Sequence, residues 1–368
     1  MRAIVVDFAI KFRPKPRGDF SPDRPIDDAI PGTTPRQQIS NTSVPLLLNW
    51  RRQRSDTGAM AGSVDLPLVD LASPDLRAAA ASVRQACVEH GFFYVTNHGV
   101  DAALVEAVFA ESRRFFGLPM EEKMKLQRTN HRGYTPPYAE KLDASSEFTG
   151  DLKESFYIGP IGDSDMQNDL NQWPSEERFP SWKETMKLYI ATVLDTGTRI
   201  LSLIALGLDL DAEFFHKIGA LDCPSTFLRL LHYPAEVNES DSGNYGASAH
   251  SDYGAITLLV TDGTPGLQIC REKDRDPQLW EDVHHVDGAL IVNIGDLLER
   301  WTNCVFRSTL HRVVAVGKER YSVAFFLDPN YDTLVECLES CCSEADPPRF
   351  PPITSGEYIT GRINSTYK

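Results

Sequence analysis

Along the first half of the chain, apolar positions recur at helical spacing in long segments that alternate with short apolar runs. The spacing predicts helices over 76–90, 101–116 and 181–206. Their ends carry helix signals, because Asp75 is a favoured N-cap residue and Gly207 a natural stop. Pro119, favoured in a first turn, predicts a further short helix. The short runs at 64–71 and 91–100 predict strands.

The pattern changes at Thr226, where short β-like runs separated by turn signals replace the helices. The runs are TFLRLLHY, ITLLVTD, GLQICRE, ALIVNIGDLLERW, STLHRVVAV and RYSVAFFLDP. Residues 131–180, rich in glycine, proline and aromatics, predict a long loop region with one strand, ESFYIG. The predicted fold class is therefore mixed α and β. A double-stranded β-helix (jelly roll) forms the core, and a helical N-terminal region packs on it.

The N-terminal segment differs from the rest. Residues 1–59 hold ten Lys/Arg against six Asp and show little apolar periodicity, which predicts a disordered arm over 1–62. Its basic, Ser- and Thr-containing composition is compatible with an organellar transit peptide, although its aspartates argue against one. An upstream extension before a natural start at Met60 is the other reading. The remaining predicted regions are 63–205 (helical/β), 220–335 (jelly roll) and 336–368 (C-terminal tail).

The net charge and the cysteine usage narrow the possible classes of protein. The formal net charge of −15 over 368 residues argues against nucleic-acid binding, which needs a basic face. We find no run of 18 apolar residues, so the sequence predicts no membrane span. Seven scattered cysteines indicate reduced thiols in an intracellular protein, and we expect a cytoplasmic location.

The sharpest chemical feature is a histidine and an aspartate two residues apart. His250 and Asp252 lie in ASAHSDYGAITLL, and residues i and i+2 of an extended strand project to the same side. His311 follows 59 residues after Asp252 in another β-like run. Two histidines and one carboxylate on one face of a metal leave open coordination sites, the arrangement suited to iron(II) oxygenases. Alone, this spacing is a weak pattern.

A second feature strengthens the prediction of an iron(II) oxygenase. Arg320 and Ser322 share one face of the run that follows His311. The arginine fork matches a carboxylate, and the serine adds a hydroxyl donor. A 2-oxo diacid would place one end on the metal and its far carboxylate on this pair.

With these residues, the chain resembles the plant-type iron(II)/2-oxoglutarate-dependent dioxygenases, the group that contains isopenicillin N synthase, gibberellin oxidases, flavonoid oxygenases and hyoscyamine hydroxylase. The resemblance covers roughly 64–358 and includes GFFYVTNHGV, LRLLHYP, HSDYGAITLL, IVNIGDLLERWTN, STLHRVV and RYSVAFF in the family order. It implies an enzyme that uses Fe(II), 2-oxoglutarate and O₂, with ascorbate as a supporting reductant. It also implies a monomer.

The resemblance implies roles for individual residues. His250, Asp252 and His311 would bind iron, and Arg320, Ser322 and Tyr233 would hold the far carboxylate of 2-oxoglutarate. One departure is Leu231, which stands where many relatives carry an asparagine that helps to hold the co-substrate.

The substrate is less legible. We expect Phe326, which shares the face of Arg320 and Ser322, to line the pocket, and Tyr134 and Tyr157 lie in segments that resemble substrate-lining loops. Arg229 is expected to form an ion pair in the β core. With no second basic cluster in evidence, a neutral or aromatic substrate is favoured.

The predicted function is hydroxylation or desaturation of a small organic molecule, such as a plant hormone or secondary metabolite, with release of succinate and CO₂. Two alternatives stay open. One is an oxidase of the same fold that does not use 2-oxoglutarate. The other is a non-catalytic metal-binding or ligand-sensing module. A zinc hydrolase is disfavoured, because it would need a general base and no Arg/Ser clamp.

Overall fold

The computed structural model of the chain describes residues 62–143, 150–161, 170–235 and 244–366. Except for Gly62, the arm predicted over 1–62 lies outside these ranges. The chain from Gly58 onward belongs to one compact unit, which contains both the predicted helical region and the predicted jelly roll.

Seven helices lie within the described ranges, and the earlier ones begin where the sequence signals predict. They are α1 (Leu76–Glu89), α2 (Ala102–Phe116), α3 (Met120–Met124), α4 (Trp182–Gly207), α5 (Phe214–Lys217), α6 (Asp296–Trp301) and α7 (Ser355–Thr366). The Asp75 carboxylate accepts a hydrogen bond from Ala78 N at 3.0 Å, and Asp101 accepts one from Ala103 N at 2.8 Å. Each cap gives a partner to a backbone N–H that the first helical turn would leave unpaired.

The strands form a large sheet, a small sheet and a two-stranded ribbon. In spatial order the large sheet contains β1 (Leu68–Asp70), β2 (Phe92–Thr96), β10 (Leu290–Ile294), β7 (Ile256–Thr261), β12 (Arg320–Asp328), β5 (Ser225–Tyr233), β4 (Glu154–Ile158) and β3 (Gly133–Thr135). The small sheet contains β6 (Tyr245–His250), β11 (Leu310–Val314), β8 (Leu267–Cys270) and β9 (Glu281–Asp282). The ribbon pairs β13 (Leu334–Val335) with β14 (Ile353–Thr354).

From β5 to β12 the chain passes repeatedly between the large and the small sheet, with β8 and β9 as neighbours in the small one. All pairings in these two sheets are antiparallel except that of β1 with β2. This is a jelly roll, and together with the helices it confirms the predicted fold class.

Two apolar cores lie on opposite faces of the large sheet. Leu231 and Ala324 belong to the core that also contains Ala247 of β6 and Ile269 of β8, so this core fills the space between the sheets. Their strand neighbours, such as Leu230 and Val323, belong to the core shared with the helices. The period-two alternation of side chains explains how one strand serves both cores.

Helix α4 is long and apolar enough to cross a membrane by length and composition alone. Its residues Met186, Tyr189, Val193 and Ile200 are fully buried in the core that covers the large sheet. Burial within the fold therefore accounts for its apolar character.

The structure adds elements that were not predicted, including α5 and α7, and it corrects two predicted regions. The region 131–180 holds a second strand, β3, besides β4. The run ALIVNIGDLLERW was predicted as β, but its second half is helix α6. The helix forms there because Leu297, Leu298 and Trp301 recur at helical spacing and are buried together.

Gly295, which precedes α6, allows this helix to approach the turn that contains Asp252. A Cβ atom on Gly295 would lie 2.2 Å from Gly254 O, so any larger residue would force the two segments apart. The first two N–H groups of α6 donate to Asp252 O at 2.8 Å and Tyr253 O at 3.1 Å. The turn is thereby fixed by a buried helix rather than by loop contacts alone.

Candidate active site

Three side chains with metal-binding atoms converge between the sheets. His250 ends β6, Asp252 follows in the adjoining turn, and His311 of β11 lies opposite His250 in the strand register. One ligand atom from each lies within 4.8 Å of the others. Asp252 Oδ1 is 3.8 Å from His250 Nε2 and 3.7 Å from His311 Nε2. The fold thus places the three residues singled out by the sequence in one group.

Both imidazole rings are oriented through Nδ1. The distance from His250 Nδ1 to Ser248 O is 2.7 Å, and that from His311 Nδ1 to Thr309 O is 3.2 Å. Because a carbonyl oxygen only accepts, each Nδ1 carries a proton and donates it. In the neutral rings each Nε2 therefore keeps its lone pair for a metal.

The Asp252 carboxylate is oriented in the same manner. Its Oδ2 atom accepts hydrogen bonds from Thr257 Oγ1 at 2.6 Å and Asn293 Nδ2 at 2.7 Å. These bonds occupy one oxygen and leave Oδ1 facing the two histidines. The carboxylate can then act as a ligand through a single oxygen.

Burial sets the protonation state of the group. Together with the neighbouring His311, it lowers the pKa of His250 to about 4. Burial alone would raise the pKa of Asp252, but His311, His250 and the bonds from Asn293 and Thr257 outweigh it, and the net shift is downward. At neutral pH, His250 is neutral and Asp252 ionised, as metal ligation requires.

Asn293→Ala is expected to weaken divalent-metal binding by about 10–100-fold, the usual effect of removing a partner of a ligating side chain. The cause is that Oδ2 of Asp252 loses one of its two donors and the carboxylate can rotate. Competition titration with Fe(II) or Co(II) measures it. The control is Asn171→Ala, since Asn171 is also buried but binds the backbone of Gly159, and metal affinity should not change. Equal losses in both variants would refute the role given to Asn293.

A cavity that opens to solvent reaches this group. The wall includes the candidate metal ligands and six further residues considered in the sequence: Arg229, Leu231, Tyr233, Arg320, Ser322 and Phe326. The predicted substrate-facing position of Phe326 is compatible with this placement.

Arg320 is the main cation on the co-substrate side of the cavity. Only 2% of it is exposed, and its Nε donates to Thr264 O at 3.2 Å. Its guanidinium lies over the ring of Tyr233, 4.9 Å from the centroid, and Tyr233 is its direct partner in the strand register. Within the described ranges, Nη1 of Arg320 is buried without a hydrogen-bond partner.

These observations test whether iron and a diacid fit the site. Two imidazole nitrogens and one singly coordinating carboxylate form the donor set that suits non-haem iron(II). A buried guanidinium nitrogen without an acceptor is costly, and a carboxylate in the cavity would supply that acceptor. Ser322, also 2% exposed, lies two residues along the same strand. Both groups fit the residues present.

Two further cations in the wall, Lys153 and Arg229, correct the expectation that there is no second basic cluster. Lys153 Nζ is 2.9 Å from Glu140 and 2.5 Å from Asp151. Arg229 forms an ion pair with Glu140 and also donates to Ser155 Oγ at 3.2 Å. The expected ion pair of Arg229 therefore exists, and it belongs to a buried network at the cavity.

Neither Tyr134 nor Tyr157 is in the cavity wall, contrary to their predicted substrate-lining position. The Tyr134 hydroxyl donates to Glu154 on the opposite face of β4, where both side chains are buried. The Tyr157 hydroxyl donates to Glu140 Oε1 at 3.4 Å, and the Arg229 guanidinium lies over its ring. Tyr157 therefore lies behind the polar network, as support for it.

The sequence interpretation missed Asn293, Thr257 and Lys153. Asn293 had a detectable signal, since it is a polar residue in the middle of the apolar strand LIVNI. Thr257 and Lys153 had none, because threonine is common in strands and lysine is common before them. Their roles arise from which strands become neighbours.

Comparison with known proteins agrees with this geometry. The model of the 2OG-Fe(II) oxygenase superfamily matches residues 224–329, and that of the non-haem dioxygenase in morphine synthesis N-terminal region matches residues 66–176. The first matched region contains all three candidate ligands and the Arg320–Ser322 pair.

Among similar proteins, kihadalactone A synthase LFS of Citrus sinensis is 43% identical over 81% of this chain and 91% of its own length. Azadirone synthase LFS of Melia azedarach is 40% identical over 83% of this chain and 94% of its own. A full-length Neurospora crassa protein, crystallised in complex with alpha-KG, is 31% identical, with a TM-score of 0.74, and the similarity covers 84% of this chain and all of that one. The chain therefore belongs to the 2OG-Fe(II) oxygenase superfamily, and it is a 2-oxoglutarate-dependent dioxygenase that uses iron(II), 2-oxoglutarate and O₂ to oxidise a small molecule.

Proposed function

We propose that His250, Asp252 and His311 hold the iron, and that Arg320, Ser322 and Tyr233 hold the far carboxylate of 2-oxoglutarate. The observation that carries the proposal is the buried, unpartnered Nη1 of Arg320 in the cavity that also contains the three ligands. When bound, iron and 2-oxoglutarate supply the O₂-dependent oxidation of a C–H bond, with succinate and CO₂ as co-products.

The protein's own part is to position and to shield. Asn293 and Thr257 keep Oδ1 of Asp252 directed at the metal position, and backbone carbonyls keep both histidines in the ligating tautomer. Arg320 orients the bound diacid, because a guanidinium binds a carboxylate through two parallel hydrogen bonds. Phe326 and Leu259 form an apolar part of the wall that limits water at the reacting carbon.

We further propose that the reaction is hydroxylation or desaturation of a plant hormone or secondary metabolite. Support comes from the relatives, two of which are named as synthases of kihadalactone A and azadirone. The Neurospora crassa protein was also crystallised with thymine, so a fold neighbour accepts a small organic ring. The monomeric state and the cytoplasmic location remain predictions.

The test is co-product analysis with purified protein. Incubation with Fe(II), O₂ and 2-oxoglutarate labelled at C1 should release labelled CO₂ and an equal amount of succinate, slowly without substrate and faster with one. Both should disappear on removal of iron with a chelator. Oxidation of a substrate without 2-oxoglutarate would instead establish the oxidase that does not use it.

A further inference from the structure

Lys153 is the centre of a buried ionic network at the cavity wall. This network is separate from Arg320, to which the 2-oxoglutarate carboxylate is assigned. The network contains two cations, Lys153 and Arg229, and two carboxylates, Glu140 and Asp151. Lys153 is 4% exposed as a residue, so its ammonium is held inside the protein. Buried ion pairs contribute little net stability, which makes a role in binding a better reason for this network than stability.

The network is fixed next to the iron-binding group. Asp151 Oδ1 accepts hydrogen bonds from Ser248 N at 3.1 Å and Ser248 Oγ at 2.6 Å, while its Oδ2 takes Lys153. The carbonyl of the same Ser248 accepts from Nδ1 of His250. A single residue therefore links the Lys153 ion pair to a candidate metal ligand, and the ammonium is held close to the reacting centre.

The ammonium keeps a donor for a ligand. Lysine has three N–H donors, and within the described ranges two are accounted for by Glu140 and Asp151. Glu140 and Asp151 raise the pKa of Lys153 despite the opposing effect of burial, so the amine stays protonated. Lys153 lines the cavity, so a ligand in the cavity can accept its third N–H.

The charges around the cavity determine whether a charged or an uncharged substrate oxygen can accept the third N–H of Lys153. Among the described residues, the two cations and two carboxylates of the network cancel, so these four side chains offer no net positive charge to an anion. On the other side, Arg320 and the iron are balanced by Asp252 and the two carboxylates of 2-oxoglutarate. A substrate carboxylate would therefore enter a buried site without compensation, which is strongly unfavourable. An uncharged oxygen would accept the third N–H without that cost.

From its place in the cavity wall and its third N–H, we infer that Lys153 is a specificity-determining residue that donates a hydrogen bond to an uncharged oxygen of the substrate. The substrate class is a largely apolar skeleton with a carbonyl, lactone, ester or ether oxygen, because Phe92, Leu142, Leu259 and Phe326 supply apolar wall around this one polar point. The inference rests on the proposed function and specifies its substrate.

The first test uses the wild-type protein, loaded anaerobically with Fe(II) and 2-oxoglutarate. The probes are matched pairs of a neutral methyl ester and its ionised acid: methyl abietate and abietic acid, methyl indole-3-acetate and indole-3-acetic acid, and methyl cinnamate and cinnamic acid. Neutral terpenoid ketones and lactones complete the panel. Neutral members should raise the melting temperature and their acids should not. Preferential binding of the acids, or a panel in which no neutral member binds, would overturn the inference.

The second test removes the donor. Lys153→Met should raise the dissociation constant of the best neutral probe by about 10–100-fold, the loss expected for a hydrogen bond from a charged donor. Lys123→Met is the matched control, because Lys123 forms an equally buried ion pair, 2.7 Å from Glu154, but does not line the cavity. Its affinity for the probe should stay near the wild-type value.

The absorption band of the iron–2-oxoglutarate complex distinguishes a failure of the proposed function from a failure of the inference about Lys153. A wild-type protein without the band would refute the proposed function itself. If the band forms in Lys153→Met and probe affinity is unchanged, only the role of Lys153 is refuted. If Lys153→Met does not fold, the comparison of esters with acids on the wild-type protein still decides the substrate class.

Discussion

Asp252→Ala is expected to abolish turnover, with a loss of at least about 10³-fold, or roughly 4 kcal/mol in activation free energy. Asp252 is the only carboxylate in the group of three candidate ligands among the described residues. Its removal leaves two neutral imidazoles, which cannot offset the charge of Fe(II) or fix its geometry. Metal titration and succinate release measure the two consequences separately.

The control for this prediction is a second His-x-Asp motif, which has the same spacing but lies outside the candidate site. His285 and Asp287 repeat the H-x-D pattern, and their side chains lie 3.0 Å apart, but Asp287 is fully exposed. Asp287→Ala should therefore leave iron binding and turnover unchanged. Retention of wild-type iron affinity in Asp252→Ala would show that the metal lies elsewhere.

Arg320→Ala is expected to weaken 2-oxoglutarate binding by roughly 30–5,000-fold, since truncating one partner of a buried charge pair costs about 2–5 kcal/mol. Iron affinity should stay within about threefold, because Arg320 touches none of the three ligands. The ligand-free protein should lose less stability than the 2-oxoglutarate complex, because the loss of the Thr264 hydrogen bond is partly offset by removal of Nη1, which has no partner among the described residues. Melting curves with and without 2-oxoglutarate check both points together.

Arg312 provides the matched control for Arg320. It follows His311 on β11, and its guanidinium lies over the ring of Trp280, 4.0 Å from the centroid, outside the cavity wall. Arg312→Ala should keep the 2-oxoglutarate-induced rise in melting temperature. Unchanged co-substrate affinity in Arg320→Ala would mean that the far carboxylate is held by another group.

Local sequence signals predicted helices α1 to α4 and most of the strands, but not α5 or α7, because caps and apolar periodicity are properties of neighbouring residues. Asp75 marks the start of α1, and the H-x-D spacing placed His250 and Asp252 together before any tertiary information was available. The boundary between β10 and α6 was missed. An apolar run of this length can form either a strand or a helix. The hydrogen bonds from α6 to the turn that contains Asp252 favour the helix.

What the sequence could not supply is which distant residues meet. Lys153 precedes β4 and Arg229 lies on β5, and only the pairing of these strands brings both cations to the carboxylate of Glu140. The same pairing turns Tyr157 towards that network rather than into the cavity. Phe326, selected by strand parity, lies in the cavity wall, and its contact with substrate stays a prediction, whereas the two tyrosines, selected by resemblance to substrate-lining loops, are not in that wall.

The most direct test of the central claim is an anaerobic titration of the Fe(II)-loaded protein with 2-oxoglutarate. Chelation of iron by the oxo acid produces a weak visible charge-transfer band. We predict a saturable band in the wild-type protein, no band in His311→Ala, and a band that requires far more 2-oxoglutarate in Arg320→Ala. Bound iron without any band in the wild-type protein would contradict the proposed site.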